Sequence, residues 1–212
     1  MTTILRNEYH GAGLDPGDFA EDPIIQFERW MEEAIARKVR EPNAVHLATA
    51  DAEGRPSGRI VLLRDFSDRG FSFFTSYSSR KGEELEQNNH AAMTFFWNEL
   101  YRQVRIGGKV YRLPAEESDA YFMSRPRQSQ ISALVSQQSR ELDNRAMLER
   151  MAAEAEEKYR DRPVPRPENW GGYYLAPDYV EFWQGREHRL HDRLRYIKTE
   201  SGKSWVIRLL YP

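Results

Sequence analysis

The sequence predicts a mainly β fold with peripheral helices (α+β), arranged as an antiparallel closed or split barrel. Three observations carry this expectation. Short runs rich in β-branched and aromatic residues recur from Ala44 almost to the C-terminus, and brief turn-rich segments join the first of them. Short connections favour antiparallel pairing. The helical patterns read as insertions into one β domain spanning 1–212, and no internal repeat is present.

Taken in order, the elements follow from local chemistry. Asp22-Pro23 sets an N-cap residue before a proline at the first helical position, and Ile24, Phe27, Trp30, Met31, Ala34 and Ile35 follow at helical spacing. That helix is expected to run to Glu41-Pro42. The period then changes: AVHLATA, GRIVLLR and GFSFFTS are strands of a meander, separated by turns at 51–54 and 67–70. A short polar helix over 79–88 follows, then strands at 91–97 and 101–113, the second bulged at Gly107-Gly108. Helices are expected over 114–123, 129–136 and 142–159. Beyond the proline-rich loop RDRPVPRPENW, strands resume around 173 and at 179–184, 190–198 and 205–210.

Composition excludes several classes. With 40% hydrophobic and 30% charged residues, the 212-residue chain is that of a soluble globular protein. It has no cysteine, which removes disulfides, thiolate metal sites and a catalytic thiol. The first residues carry Arg6 and Glu8 and no apolar run, and no window approaches the roughly 18 apolar residues of a membrane span, so a cytoplasmic protein is expected. The net charge of -2 does not predict nucleic-acid binding. Arginines nevertheless gather at 102–112, at 125 and 127, and at 186–198, as small anions would require. No dinucleotide fingerprint, Walker loop, HExxH or GxSxG is present.

Several stretches gather residues able to carry chemistry. His188 and His191 have a metal-like HxxH spacing, but the interleaved Arg189 and Arg193 oppose a bound cation, and no metal is assigned. If 190–198 and its approach form a strand, Arg189, His191 and Arg193 share one face, suited to an anion and a titrating imidazole, with Leu190 and Leu194 turned inward. A solvated edge is the plain alternative. Ser78-Ser79-Arg80-Lys81 opens a helix, where free N–H groups and two cations suit a phosphate; ordinary N-capping competes, without a capping box. Arg59 and Arg64 bracket RIVLLR, and alternation places them on opposite faces. Arg125, Arg127 and two serines lie in a proline-constrained turn that reads equally as a surface loop. Trp97, Trp170 and Trp183 read as core or interface residues.

LRNEYHGAGL, RIVLLR, SSRKGEEL, Arg102-Gln103-Val104, YFMSRPRQSQISALVSQQS, NWGGY and above all EFWQGREHRLHDR resemble the pyridoxine (pyridoxamine) 5'-phosphate oxidases, in order, from about Arg6 to the C-terminal proline. The resemblance implies an FMN-binding split barrel, a homodimer with active sites at the subunit interface, and oxidation of pyridoxine or pyridoxamine 5'-phosphate with O2 as acceptor. FMN would be held by Arg59, Ile60, Val61, Leu62, Leu63, Arg64, Phe74, Thr75, Arg80, Lys81, Gln103, Gln138, Ser139, Trp183 and Arg193. Substrate would meet Arg64, Tyr121, Arg125 and Ser129 around its phosphate and Arg189 and His191, the catalytic pair, at its ring. Arg6 and Tyr9, in an N-terminal segment spanning 1–20, would cover the site. Arg64 stands where the family commonly has lysine, Phe74 replaces a frequent tyrosine, and the ending RLLYP is longer than usual. A related flavin oxidase of phenazine pathways shares the fold and acts on a reduced tricyclic intermediate, which makes it the alternative reading.

Overall fold

The computed structural model describes residues 8–202 and 204–212. Asp22 opens α1 (Pro23–Ala36) as expected, its carboxylate accepting from the Ile24 N–H at 2.7 Å. The helix stops at Ala36, five residues short of the expected end at Glu41. Lys38 turns left-handed (φ 57), and the N–H groups of Val39 and Lys38 donate to the carbonyls of Ala34 and Ile35, both at 3.0 Å. This pair of bonds closes a helix end that usually carries glycine, so a lysine there conceals it from the sequence pattern.

The strands are β1 (Ala44–Ala50), β2 (Pro56–Leu62), β3 (Asp65–Ser67), β4 (Gly70–Ser76), β5 (His90–Trp97), β6 (Arg102–Arg112), β7 (Trp170–Gln184), β8 (Asp192–Lys198) and β9 (Trp205–Leu210). Helix α2 (Arg80–Gln87) follows β4, and α3 (Ala115–Ser124), α4 (Arg127–Val135) and α5 (Arg145–Lys158) lie between β6 and β7. All strand pairs are antiparallel, in the order β2-β1-β5-β6-β7-β4-β3. Strand β7 divides its partners: 170–175 pair with β4, whereas 179–184 pair with β8, which carries β9. The sheet curls until the Arg64 N–H donates to Ser72 O of β4 at 2.9 Å. This is the expected split barrel.

β2 ends at Leu62, two residues before the expected Arg64, and the short β3 lies outside the expected runs; β7 and β8 differ from expectation for a local reason. β7 is continuous where the sequence suggests a break, because Pro177 faces Gly108 at the register shift of β6, where the ladder is already interrupted. The expected bulge at Gly107-Gly108 is therefore present. β8 begins at Asp192, not 190. His188 (φ 56) and Arg189 (φ 64) turn left-handed in a short 3-10 turn, so Arg189 and His191 lie in a loop and share no strand face with Arg193. Leu190, expected inside, is 68% exposed, whereas Leu194 is fully buried. Leu194→Ala should therefore cost about 2–5 kcal/mol of stability and Leu190→Ala no more than about 0.5, measured by denaturant unfolding.

The inner sheet face holds the core. Val45, Leu47, Met93, Phe95, Val104 and Phe182 pack with Phe27 and Trp30 of α1. Ile35, counted with the apolar stripe, is 59% exposed. A second cluster forms under α3–α5 from Phe122, Ile131, Ala155, Val164 and Trp170. The outer sheet face is uncovered and apolar in places, exposing Ile60, Phe96 and Ile197. No helix among the described residues is long and apolar enough to cross a membrane.

Candidate active site

The α2 end of the barrel is built by close packing. A Cβ on Gly82 would lie 2.2 Å from Tyr77 O, so only glycine lets the first turn of α2 press against the β4 exit. Ser79 caps the helix, accepting from the Gly82 N–H at 3.4 Å and donating to Ser76 O at 2.7 Å. The capping alternative therefore holds for Ser79, while Arg80 and Lys81 remain as cations in the first turn. Lys81 is buried, with its ammonium 2.9–3.1 Å from Thr75 Oγ1, Ser79 Oγ and Gln138 Oε1. Burial, reinforced by the charge of Arg59, lowers its pKa to about 8.

A cavity of about 620 Å³ opens here. One wall is β2 and its continuation, from Ser57 through Leu62, with Arg64; Phe74 and Thr75 of β4 form the floor. Arg80, Lys81, Gln138 and Ser139 line it beside the N-terminus of α2, and Tyr121, Arg125 and Trp170, packed on one another, complete the lining. Arg59 and Arg64 thus reach the same cavity, contrary to the alternation argument, because β2 ends at Leu62 and the chain turns before Arg64. Leu63 is buried behind this wall and does not line it.

Arg125 lies 4.7 Å over the Trp170 ring, and its Nη1 is buried without a hydrogen-bond partner among the described residues. Burial lowers its pKa from the usual guanidinium value, and Arg64 adds to the shift. An orphaned buried donor of this kind calls for an acceptor from outside the chain. Tyr121 stacks on Phe74 at 3.9 Å, making an aromatic wall beside it. Arg127, by contrast, donates to Glu156 and to Tyr159 O, tying α4 to α5. Ser129 sits at the start of α4 outside the cavity wall.

The remaining assigned residues gather elsewhere. Gln103 faces Trp183 across β6–β7, and Trp183 faces Arg193 across β7–β8. Arg193 is held by Glu181, with Nε donating to Oε1 at 2.9 Å; Glu181 is fully buried, yet its pKa is lowered because Arg193 and Arg195 outweigh the burial. Tyr9 packs edge-on against Trp183 and His191, each at 5.7 Å. The Arg186 N–H donates to His191 Nδ1 at 3.1 Å, which leaves Nε2 to carry the hydrogen of the neutral ring. Burial, then the charge of Arg189, lowers the His191 pKa. Arg6 lies outside the described residues.

Residues 31–159 match the family model described as pyridoxamine 5'-phosphate oxidase, and residues 170–212 the model of the pyridoxine 5'-phosphate oxidase C-terminal dimerisation region. The chain belongs to the pyridoxamine 5'-phosphate oxidase family. Full-length relatives agree: the pyridoxine/pyridoxamine 5'-phosphate oxidase of Burkholderia cenocepacia is 53% identical, with all of both chains covered. That of Salinibacter ruber is 52% identical over 98% of this chain and 97% of its own. Among solved structures, PhzG from Burkholderia lata in complex with tetrahydrophenazine-1-carboxylic acid superposes with TM-score 0.89 at 36% identity, covering 95% of this chain and 99% of that one. A family-related FMN-binding protein from Nostoc punctiforme, at TM-score 0.69 and 16% identity over 88% and 97% of the two chains, shares the fold. The family comprises FMN-dependent oxidoreductases, and this member is an oxidoreductase of the flavin-using class.

Reading the sequence missed Ser57, Gly58 and Trp170 as lining residues and the two buried carboxylates, Glu84 and Glu181. Strand alternation offered a signal for Ser57, two residues from Arg59, and helical spacing one for Glu84, four residues from Arg80. Nothing local marked Glu181, whose arginine partners on β6 and β8 are set by the sheet register.

Proposed function

We propose that the protein is an FMN-dependent oxidase that converts pyridoxine 5'-phosphate or pyridoxamine 5'-phosphate to pyridoxal 5'-phosphate. Two electrons and two protons leave C4' and its substituent and reach O2 as hydrogen peroxide; the amine also consumes water and releases ammonia. One observation carries the reading: a single cavity is lined by two groups of cations, Arg59, Arg80 and Lys81 around Glu84 and Gln138, and Arg64 and Arg125 around Tyr121. Two such groups suit two phosphates, one on the cofactor and one on the substrate. A reduced phenazine carboxylate would offer Arg125 a carboxylate in place of a phosphate, so the substrate test below separates the two readings.

The residues present fit FMN. The cavity volume lies within the range of about 300–1,000 Å³ common for cofactor sites, and the helix terminus with its cations suits a phosphate. Arg80 and Lys81 would hold that phosphate with Gln138 and Ser139, and residues 59–62, Arg64, Phe74 and Thr75 would line the rest, with Leu63 supporting them from behind. When bound, FMN supplies the two-electron acceptor. Arg64, Tyr121 and Arg125 would anchor the substrate phosphate far from the reacting carbon and so orient C4'. Ser129 would join them after a small movement of α4.

Gln103, Trp183, Arg189, His191 and Arg193 belong to the same site through a homodimer. A second copy would bring them over the cavity, its docking supported by the match to a dimerisation region and by the uncovered apolar sheet face. In that arrangement Tyr9, already packed against Trp183 and His191, would lie against the substrate. His191 acts as a neutral donor through Nε2, because Nδ1 is already occupied by a backbone N–H.

Mixing the yellow protein anaerobically with pyridoxine 5'-phosphate should bleach the flavin absorbance, and admitting air should restore it. Flavin that stays oxidised with this substrate but bleaches with a reduced phenazine carboxylate would select the second reading, which the likeness to PhzG favours.

A further inference from the structure

Glu84 is a buried carboxylate directly behind the cationic end of the cavity, yet it does not line the cavity. It lies one turn after Arg80 on α2, and its Oε1 accepts from Arg80 Nε at 2.9 Å. Its Oε2 accepts from Ser57 Oγ at 2.6 Å, from Thr49 Oγ1 and from Arg59 Nη2 at 3.3 Å. Arg59 is fixed further by Leu47 O and Thr49 Oγ1, at 3.3 and 2.5 Å, and by a short contact to Ser57 Oγ. One carboxylate thus joins β1, β2 and α2 and grips Arg59 and Arg80.

We propose that Glu84 is a positioning residue of the cofactor-phosphate site, holding Arg59 and Arg80 in one arrangement for the phosphate of FMN. The proposal rests on the reading that this end of the cavity takes that phosphate. Two physical consequences follow. Arg59, held by Glu84 and three further partners, and Arg80, tethered by its bond to Glu84, lose less side-chain freedom when the ligand binds than free arginines would. Glu84 also offsets one of the three positive charges crowded there, and the two left in excess match the nearly dianionic charge of a phosphate monoester. Lys81 stays outside this arrangement. Among the described residues its ammonium bonds to hydroxyl and amide oxygens and to no carboxylate, so its charge remains available to a ligand.

Glu84 is held ionised at any working pH. Burial alone would push its carboxyl up, but the bonds from Ser57, Thr49 and Arg80 and the charge of Arg59 outweigh that and bring it to about 2.

The test compares FMN with riboflavin, which lacks the phosphate, by fluorescence titration of the full-length protein after flavin removal. Glu84→Gln, nearly isosteric, and Glu84→Ala are measured beside wild type, with melting curves to confirm folding. FMN affinity is expected to fall about tenfold or more while riboflavin affinity stays put. In an Arg59→Ala/Arg80→Ala background the Glu84→Gln change should have no further effect on FMN. Unaltered FMN affinity in folded Glu84→Gln protein overturns the proposal, as does an equal loss for FMN and riboflavin or an effect that persists without the two arginines. Wild type that binds FMN no better than riboflavin would instead refute the phosphate placement itself, and this role with it.

Discussion

Replacing Arg80 and Lys81 together by alanine is expected to give folded protein that purifies almost free of flavin. Both residues sit in the first turn of α2, where cations are unfavourable unless an anion offsets them. Each charge-assisted contact to a phosphate is worth about 1.5–3 kcal/mol, so losing both should weaken FMN binding at least about 100-fold. Lys81 adds a pH signature. Its pKa of about 8 in the ligand-free chain means that the ammonium loses its proton just above neutrality. An anion beside it favours the charged form, so binding takes up a proton wherever the free lysine is neutral. FMN affinity should therefore hold between pH 6 and 7 and fall as pH rises through 8, and this slope should vanish in Lys81→Met. Fluorescence titrations across that range, with flavin content after dialysis, measure both effects. Wild-type flavin content in the double variant would remove this end of the cavity from the cofactor site.

His191→Ala is expected to lower kcat/KM for pyridoxine 5'-phosphate by about 10- to 100-fold, the cost of one hydrogen bond in a closed site, with flavin content unchanged. Its role is legible in its contacts. Burial and Arg189 hold its pKa below the ordinary histidine value, so the ring is neutral at pH 7, and the Arg186 N–H occupies Nδ1. A neutral ring in that tautomer offers Nε2–H as a donor and has no free lone pair to take a proton. His191→Gln places an amide N–H near the same point and should recover much of the lost rate. If Gln fails as badly as Ala, the residue transfers a proton and the donor role is wrong. Unchanged kinetics in both variants would remove His191 from the site.

How much was legible in the sequence differs by element. β1, β4 and β5 follow from dense β-forming residues between turn signals, and α2 and α5 from their polar helical patterns; these are local properties. The exceptions share one cause. The stop of α1 at Lys38, the left-handed turn at His188 and Arg189 and the passage of β7 through Pro177 are backbone choices made by residues that do not ordinarily signal them. Arg189 and His191 were named from the resemblance as well as from parity, so the failure of the parity argument leaves their assignment resting on the family motif.

By itself the sequence determined most of the strands and helices, the absence of thiol chemistry, the family, and the chemical identity of the cationic residues. Tertiary structure decided which of those residues meet. It ended β2 at Leu62 so that Arg59 and Arg64 share one cavity, seated Lys81 among Thr75, Ser79 and Gln138, and left Arg125 with a buried donor that no other described residue meets. It also set Gln103, Trp183 and Arg193 in one cross-strand row away from that cavity. The physical reason is range. Residue type and spacing fix backbone preference and face within a few residues, whereas register, curl and burial arise when separate segments of the chain pack together. The buried carboxylates show it best: Glu84 and Glu181 are ordinary acids in the sequence, and they become the anchors of neighbouring arginines once β1, β2 and α2, or β6, β7 and β8, are side by side.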